Sequence, residues 1–99
     1  MYRDEDVLLR AIRQLGEAVA RWATGAGAGR AEVEHALQEA TGLSLATLDV
    51  LPADALIAAF GTSDEIGRAR LAAIAEVLEA ATTPGDGRAA KAAILRAAL

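Results

Sequence analysis

Few side chains in this sequence have the type and spacing to do chemistry. His35 is the single histidine, and Glu32, Glu34 and Glu39 stand within four residues of it. A histidine among carboxylates can hold a divalent metal or move a proton. With no second histidine and no cysteine the donor set is thin, and helical spacing puts His35 on a polar, solvated face. Asp49 and Asp54 flank an apolar run, a setting in which two carboxylates can acquire separated pKa values for acid–base work. Asp54, however, is an early-helix acid behind Pro52, where the helix dipole favours negative charge. Thr24–Gly29, TGAGAG, has the glycine density of a phosphate-binding loop, but no strand precedes it and no Lys-Ser/Thr follows. It reads as a turn. No Ser/His/Asp set can be assembled around the lone histidine. Arg10, Arg13 and Arg21 form a basic ridge that suits an acidic partner or plain solubility. The expectation is a protein with no catalytic, cofactor-binding or metal-binding residues, and no enzyme.

Composition narrows the partners. The formal net charge is −4, and no basic patch is interleaved with aromatics, so nucleic acid is not expected. The absence of cysteine removes disulfides and thiolate metal sites, and with them gone a reducing cytoplasm is the expected location. The apolar runs are short and broken by charge, so no membrane span is expected. The acidic opening, RDED, lacks the basic region of a signal peptide. The hydrophobic fraction is 54%, but 26 of those residues are alanine, which leaves 27 larger apolar side chains for one thin core. A chain this small gains from oligomerisation. Its wealth of alanine, arginine and glycine suggests a bacterial source of high GC content.

The elements that would position these residues are helices. Alanine favours helix, and the β-branched and aromatic residues that strands want are scarce. Leu8, Ile12, Leu15, Val19 and Trp22 recur at steps of four and three, one stripe of an amphipathic helix over about Asp4–Ala23, widened by Ala11 and Ala18. Asp4, Glu5 and Asp6 suit its amino end, and Asp6→Arg10 and Glu17→Arg21 are acid-before-base pairs at i,i+4. Arg30–Thr41 forms the second helix, with Val33, Ala36, Leu37 and Ala40 inward and Gly42 as its stop. Leu43–Phe60 is the densest apolar part: a short turn through Leu45, Leu48 and Leu51 capped by Ser44, then a helix opened by Pro52 with Leu56, Ile57 and Phe60 inward and Gly61 at its end. Thr62-Ser63-Asp64-Glu65 reads as a capping box for a helix ending near Ala81, its start slipping toward Arg68 because of Gly67. That helix turns Leu71, Ile74, Val77, Leu78 and Ala81 inward and leaves Glu76 and Glu79 solvated. Asp86 caps a last helix over Gly87–Leu99, with Ala90, Ile94, Leu95 and Ala97 or Ala98 inward.

Two helix pairs echo one another. Ile12-x-x-Leu15-Gly16-x-x-Val19 precedes Val33-x-x-x-Leu37-x-x-Ala40, and Leu71-x-x-Ile74-Ala75-x-x-Leu78 precedes Ala90-x-x-x-Ile94-x-x-Ala97. The pattern resembles the tetratricopeptide helix-turn-helix, with aliphatic residues in its aromatic positions and longer loops. The opening Asp6-Val7-Leu8-Leu9-Arg10-Ala11-Ile12-Arg13-Gln14-Leu15 resembles the first helix of a small uncharacterised bacterial family, D-x-[IL]-L-R-x-I-x-Q-L, with Val7 where a tyrosine is usual. That family continues through a leucine-rich middle, here Leu43–Ile57, and closes on a tetratricopeptide-like pair, here Leu71–Ala97. The resemblance implies a fold and no chemistry.

The expected fold is therefore all-α: one domain over residues 1–99, a compact bundle of about five helices with tetratricopeptide-like hairpins around a leucine-rich central plug. The expected function is a small protein–protein interaction or scaffold module that self-associates as a homo-oligomer, or binds a protein partner, through Leu8, Ile12, Leu15, Val19 and Trp22. These follow the spacing of a coiled-coil seam. The alternative is a ligand-binding or enzymatic domain with an apolar pocket near Leu45–Phe60.

Overall fold

The computed structural model describes residues 4–25 and 29–99, and among them every regular element is helical. Six helices follow in order: α1 (Asp4–Thr24), α2 (Arg30–Thr41), α3 (Leu45–Val50), α4 (Ala53–Phe60), α5 (Glu65–Ala81) and α6 (Arg88–Ala98). The count is six because the leucine-rich segment divides at Leu51-Pro52. Ala26, Gly27 and Ala28 of the TGAGAG turn lie outside the described residues, as do the side chains of Asp4 and Glu5. None of the described helices is long and apolar enough to cross a membrane.

Helices α1 and α2 form an antiparallel hairpin. Leu15, Ala18 and Val19 of α1 are buried, as are Val33, Leu37 and Ala40 of α2. Full burial of side chains the size of Leu15 and Leu37 stabilises the fold by roughly 1.5–3 kcal/mol each. Across the hairpin Arg21 pairs with Glu32, a partner on the other helix instead of the expected Glu17 on its own. Gly42, in the left-handed region at φ +76°, ends α2 and donates its N–H to the Gln38 carbonyl at 2.8 Å.

The leucine-rich segment follows. Ser44 caps α3, its hydroxyl accepting the Thr47 N–H at 3.2 Å. Pro52 stands just ahead of α4, and its carbonyl accepts the N–H groups of Ala55 and Leu56 at 3.0 and 3.2 Å. Leu45, Leu48 and Leu56 are closed into the core, with Leu51, Ile57 and Phe60 half-buried against it. Helix α4 packs on both α5 and α6.

The start of α5 differs from the capping-box reading. Asp64, not Thr62, is the cap, accepting the Ile66 N–H at 3.4 Å, and the helix begins at Glu65. Gly67 does not delay it. A Cβ at Gly67 would stand 2.1 Å from the Phe60 carbonyl oxygen and 2.7 Å from that of Gly61. The carboxyl end of α4 is thus pressed onto the first turn of α5, and only glycine fits there.

Helix α6 runs back along α5, and its inward face matches the expected one only at Leu95. Ala92 and Leu95 are buried, whereas Ala90, Ala97 and Ala98 are exposed and Ile94 is 51% exposed. The helix is rotated by its cations. Arg88 reaches the Asp49 carboxylate, and the Lys91 ammonium reaches the Leu48 carbonyl at 2.6 Å, so both face the carboxyl end of α3.

A candidate docking groove between α1 and α5

Helices α1 and α5 lie side by side and run in the same direction. Ile12 and Arg13 face Ala69 and Ala72 at one end of the cleft between them, and Ala20 and Ala23 face Glu79 and Ala80 at the other. Small side chains on both helices leave this cleft open. It comprises two adjoining grooves of about 500 and about 550 Å³ that share Gly16, Ala20 and Glu76. The floor is Gly16, Ala20, Ala69, Ala72, Ala73 and Ala80, and the charged rim is Arg13, Glu17, Glu76, Glu79 and Arg96. The rim is partly self-neutralised. Arg96 donates from Nε and Nη2 to the two oxygens of Glu79, each at 2.7 Å, and this bidentate bond holds the Glu79 carboxyl below its ordinary range. Glu76 and Glu79 are both exposed, as their spacing predicts, and Glu79 is in addition paired with Arg96 of α6.

The five residues expected at an interface do not act together. Leu15 has no exposed surface and Val19 is 6% exposed, because this chain's own core covers them. Leu8, Ile12 and Trp22 are half-buried. The five residues do share one stripe of α1, but Leu15 and Val19 are core residues and not a free surface. The large apolar side chains left open on α1 are Val7 at 53% and Leu9 at 40% exposed.

The other candidate residues have structural partners. His35 lies in a polar groove between α1 and α2 with Gln14, Glu17 and Glu39, its Nε2 3.8 Å from a Glu39 oxygen. Among the described residues no group of three or more potential metal ligands converges. Asp49 accepts from Arg88 Nε and Nη2 at 2.9 and 2.8 Å, and this bond lowers its pKa. Arg88 also donates to the Ala81 carbonyl at 2.6 Å, so it ties α3 and the carboxyl end of α5 to the start of α6. Asp54 is an exposed first-turn acid.

Asp86 accepts the N–H groups of Thr83 and Arg88 at 2.6 and 2.9 Å and the hydroxyls of Thr83 and Thr82 at 2.9 and 3.1 Å. Desolvation pushes its carboxyl up, but these donors together outweigh it and hold the pKa at about 2. The expected cap is thus met only in part: Asp86 accepts the first N–H of α6, but Gly87, at φ +76°, holds the cap position and the helix starts at Arg88. Arg70 lies over the Phe60 ring, 5.5 Å from its centre, a cation–π contact that sequence spacing did not reveal.

The groove, too, is not evident from sequence spacing. Its trace was legible as Gly16, Ala20 and Ala23 at steps of four and three, but small residues carry little hydrophobic signal and mark a face only once a neighbouring helix is placed beside it. No family model, curated protein or solved structure matches this chain.

Proposed function

We propose that this protein is a small helical interaction module that docks a partner helix in the α1–α5 groove, without catalytic activity. One observation carries the reading. Two parallel helices line an open trough floored by glycine and alanine, and side chains this small allow a third helix axis to approach within roughly 8–10 Å. The two antiparallel hairpins support a tetratricopeptide-like reading, and the kinship with the small bacterial family of the opening motif belongs to the same proposal. Cytoplasmic location and a protein partner in place of nucleic acid or membrane are part of it too. The pocket near Leu45–Phe60 finds less support, since Leu45, Leu48 and Leu56 are closed into the core.

The test is selection of helical peptides from a displayed library on the folded protein, followed by amide-shift mapping of the bound complex. Docking in the groove moves the signals of Gly16, Ala20, Ala72 and Ala73, and Ala20→Trp, which fills the groove, abolishes binding while circular dichroism stays helical. Selected peptides that bind Ala20→Trp as well as the parent protein would sink the reading.

A second reading is self-association, favoured by the exposure of Val7 and Leu9 on the first turns of α1. With Leu15 and Val19 inside, contact through large apolar side chains of α1 is confined to that end of the helix.

A further inference from the structure

Helix α3 has six residues, well below the length of about 12–15 at which isolated helices become even marginal in water. Among the described helices it alone runs closely alongside no other. Leu45 and Leu48 anchor it in the core, while Ala46, Asp49 and Val50 are exposed.

Much of what holds it comes from other helices. At its amino end the Glu34 carboxylate of α2 accepts the Leu45 N–H at 2.9 Å, beside the Ser44 cap on Thr47. At its carboxyl end the Lys91 ammonium of α6 donates to the Leu48 and Asp49 carbonyls at 2.6 and 3.2 Å. These backbone groups have no partner within so short a helix. Each ion also stands at the end of the helix dipole that favours its charge. Arg88 adds the pair with the Asp49 side chain.

The segment is bounded by joints. Gly42 precedes it in the left-handed region, with open space where a side chain would stand. Beyond Leu51, α4 closes its first turn on the Pro52 carbonyl and does not draw on α3. With α3 lifted, Arg88 would still hold the Ala81 carbonyl and lie 3.7 Å from Asp86, so the seat for Asp49 stays formed.

We propose that α3 is a latched strap. Residues 43–51 open as one unit while the other five helices stay folded, and Glu34 and Lys91 pin the strap shut. Opening bares the part of the core that Leu45 and Leu48 cover, and the preformed seat at Arg88 returns the strap to its place. The device is independent of what docks between α1 and α5.

Native-state hydrogen exchange of the full chain in increasing urea, read by NMR, tests this. The Thr47, Leu48 and Leu51 amides are expected to share one opening free energy, lower than that of Ile74, Val77 and Leu78 in α5. Their urea slope is smaller than that of α5 but not zero. Val19→Ala, on the α1–α5 side, speeds exchange in α5 and leaves α3 unchanged, because the packing of Val19 survives in the open form. Lys91→Met and Glu34→Ala each speed α3 exchange about tenfold, the effect of losing a hydrogen bond to a charged group, while circular dichroism stays helical.

Amides of α3 that share the protection and urea slope of α5, or that speed up in Val19→Ala, would show that α3 opens only with the whole chain and would overturn the proposal. Scattered values without a urea slope would mean fraying residue by residue, and no strap. Unchanged α3 exchange in both Lys91→Met and Glu34→Ala would overturn the pins.

Discussion

Gly16 and Gly67 look alike in the sequence, as single glycines inside alanine-rich helices, yet their surroundings make them opposites. At Gly67 the Phe60 carbonyl occupies the place of a Cβ; at Gly16 the place is open. Gly16→Ala should therefore stabilise the protein by about 0.5–1 kcal/mol. Gly67→Ala should destabilise it by about 3 kcal/mol or more, since the clash is with backbone that cannot rotate away. Urea titrations of the two variants check both signs. Asp86 makes the second prediction at this scale. Its pKa in the folded protein, about 2, lies below the ordinary 3.8. Its contribution to stability is thus fully present above about pH 4 and is lost as pH falls through about 2. Asp49 and Glu79 are shifted the same way by Arg88 and Arg96 and act in the same sense. Asp86→Asn should lower the melting temperature at pH 7 and flatten its fall between pH 4 and 2; an unchanged acid limb would mean that the four hydrogen bonds to Asp86 do not persist in solution.

At the scale of elements, α6 shows how polar contacts set a helix's rotation when its apolar signal is weak. Its sequence, RAAKAAILRAA, offers alanine on every side, so periodicity alone ranks several faces nearly equal. Ile94 and Leu95 are adjacent and cannot both be central to one face. Arg88 and Lys91 decide the matter, because their partners on α3 fix which side turns in. Leu95→Ala should then cost about 2–5 kcal/mol, the range for emptying a buried leucine site, whereas Ile94→Ala should stay within about 0.5 kcal/mol. Equal losses from the two substitutions, measured by denaturant titration, would restore the face expected from the sequence. Helices α1 and α2 did not need such arbitration. Leu15, Val19, Val33 and Leu37 are large, regularly spaced and opposed by charged residues, and each is buried as its spacing required.

Across the whole molecule, the two hairpins meet mainly through α1 and α5, α4 packs on α5 and α6, and α3 is tied to α6 through Asp49 and the Leu48 carbonyl. The first helix therefore serves the core with Leu15 and Val19, the groove with Gly16 and Ala20, and solvent with Val7 and Leu9. Self-association through large apolar side chains of α1 has only its amino end to use. Light scattering across a dilution series, with Trp22 fluorescence alongside, should show at most weak assembly. Leu9→Asp should abolish that assembly without unfolding the chain, whereas Leu15→Asp should unfold it. An assembly that persists in Leu9→Asp would place the self-contact on another surface.

The sequence by itself determined the helical class, nearly every helix boundary, the stops at Gly42 and Gly61, the Ser44 cap and the core faces of α1, α2 and α5. These follow from local rules: propensity, capping chemistry, and large apolar residues at helical period. What only the tertiary structure decided is which helices become neighbours, and hence everything that depends on a neighbour. The need for Gly67 comes from α4 pressing on α5. The rotation of α6 comes from α3, and the groove comes from two stripes of small residues 53 positions apart, as Gly16 and Ala69 are, brought side by side. Small side chains contribute too little burial free energy to announce a face. They become visible only as the space they leave between two helices that other residues hold in place.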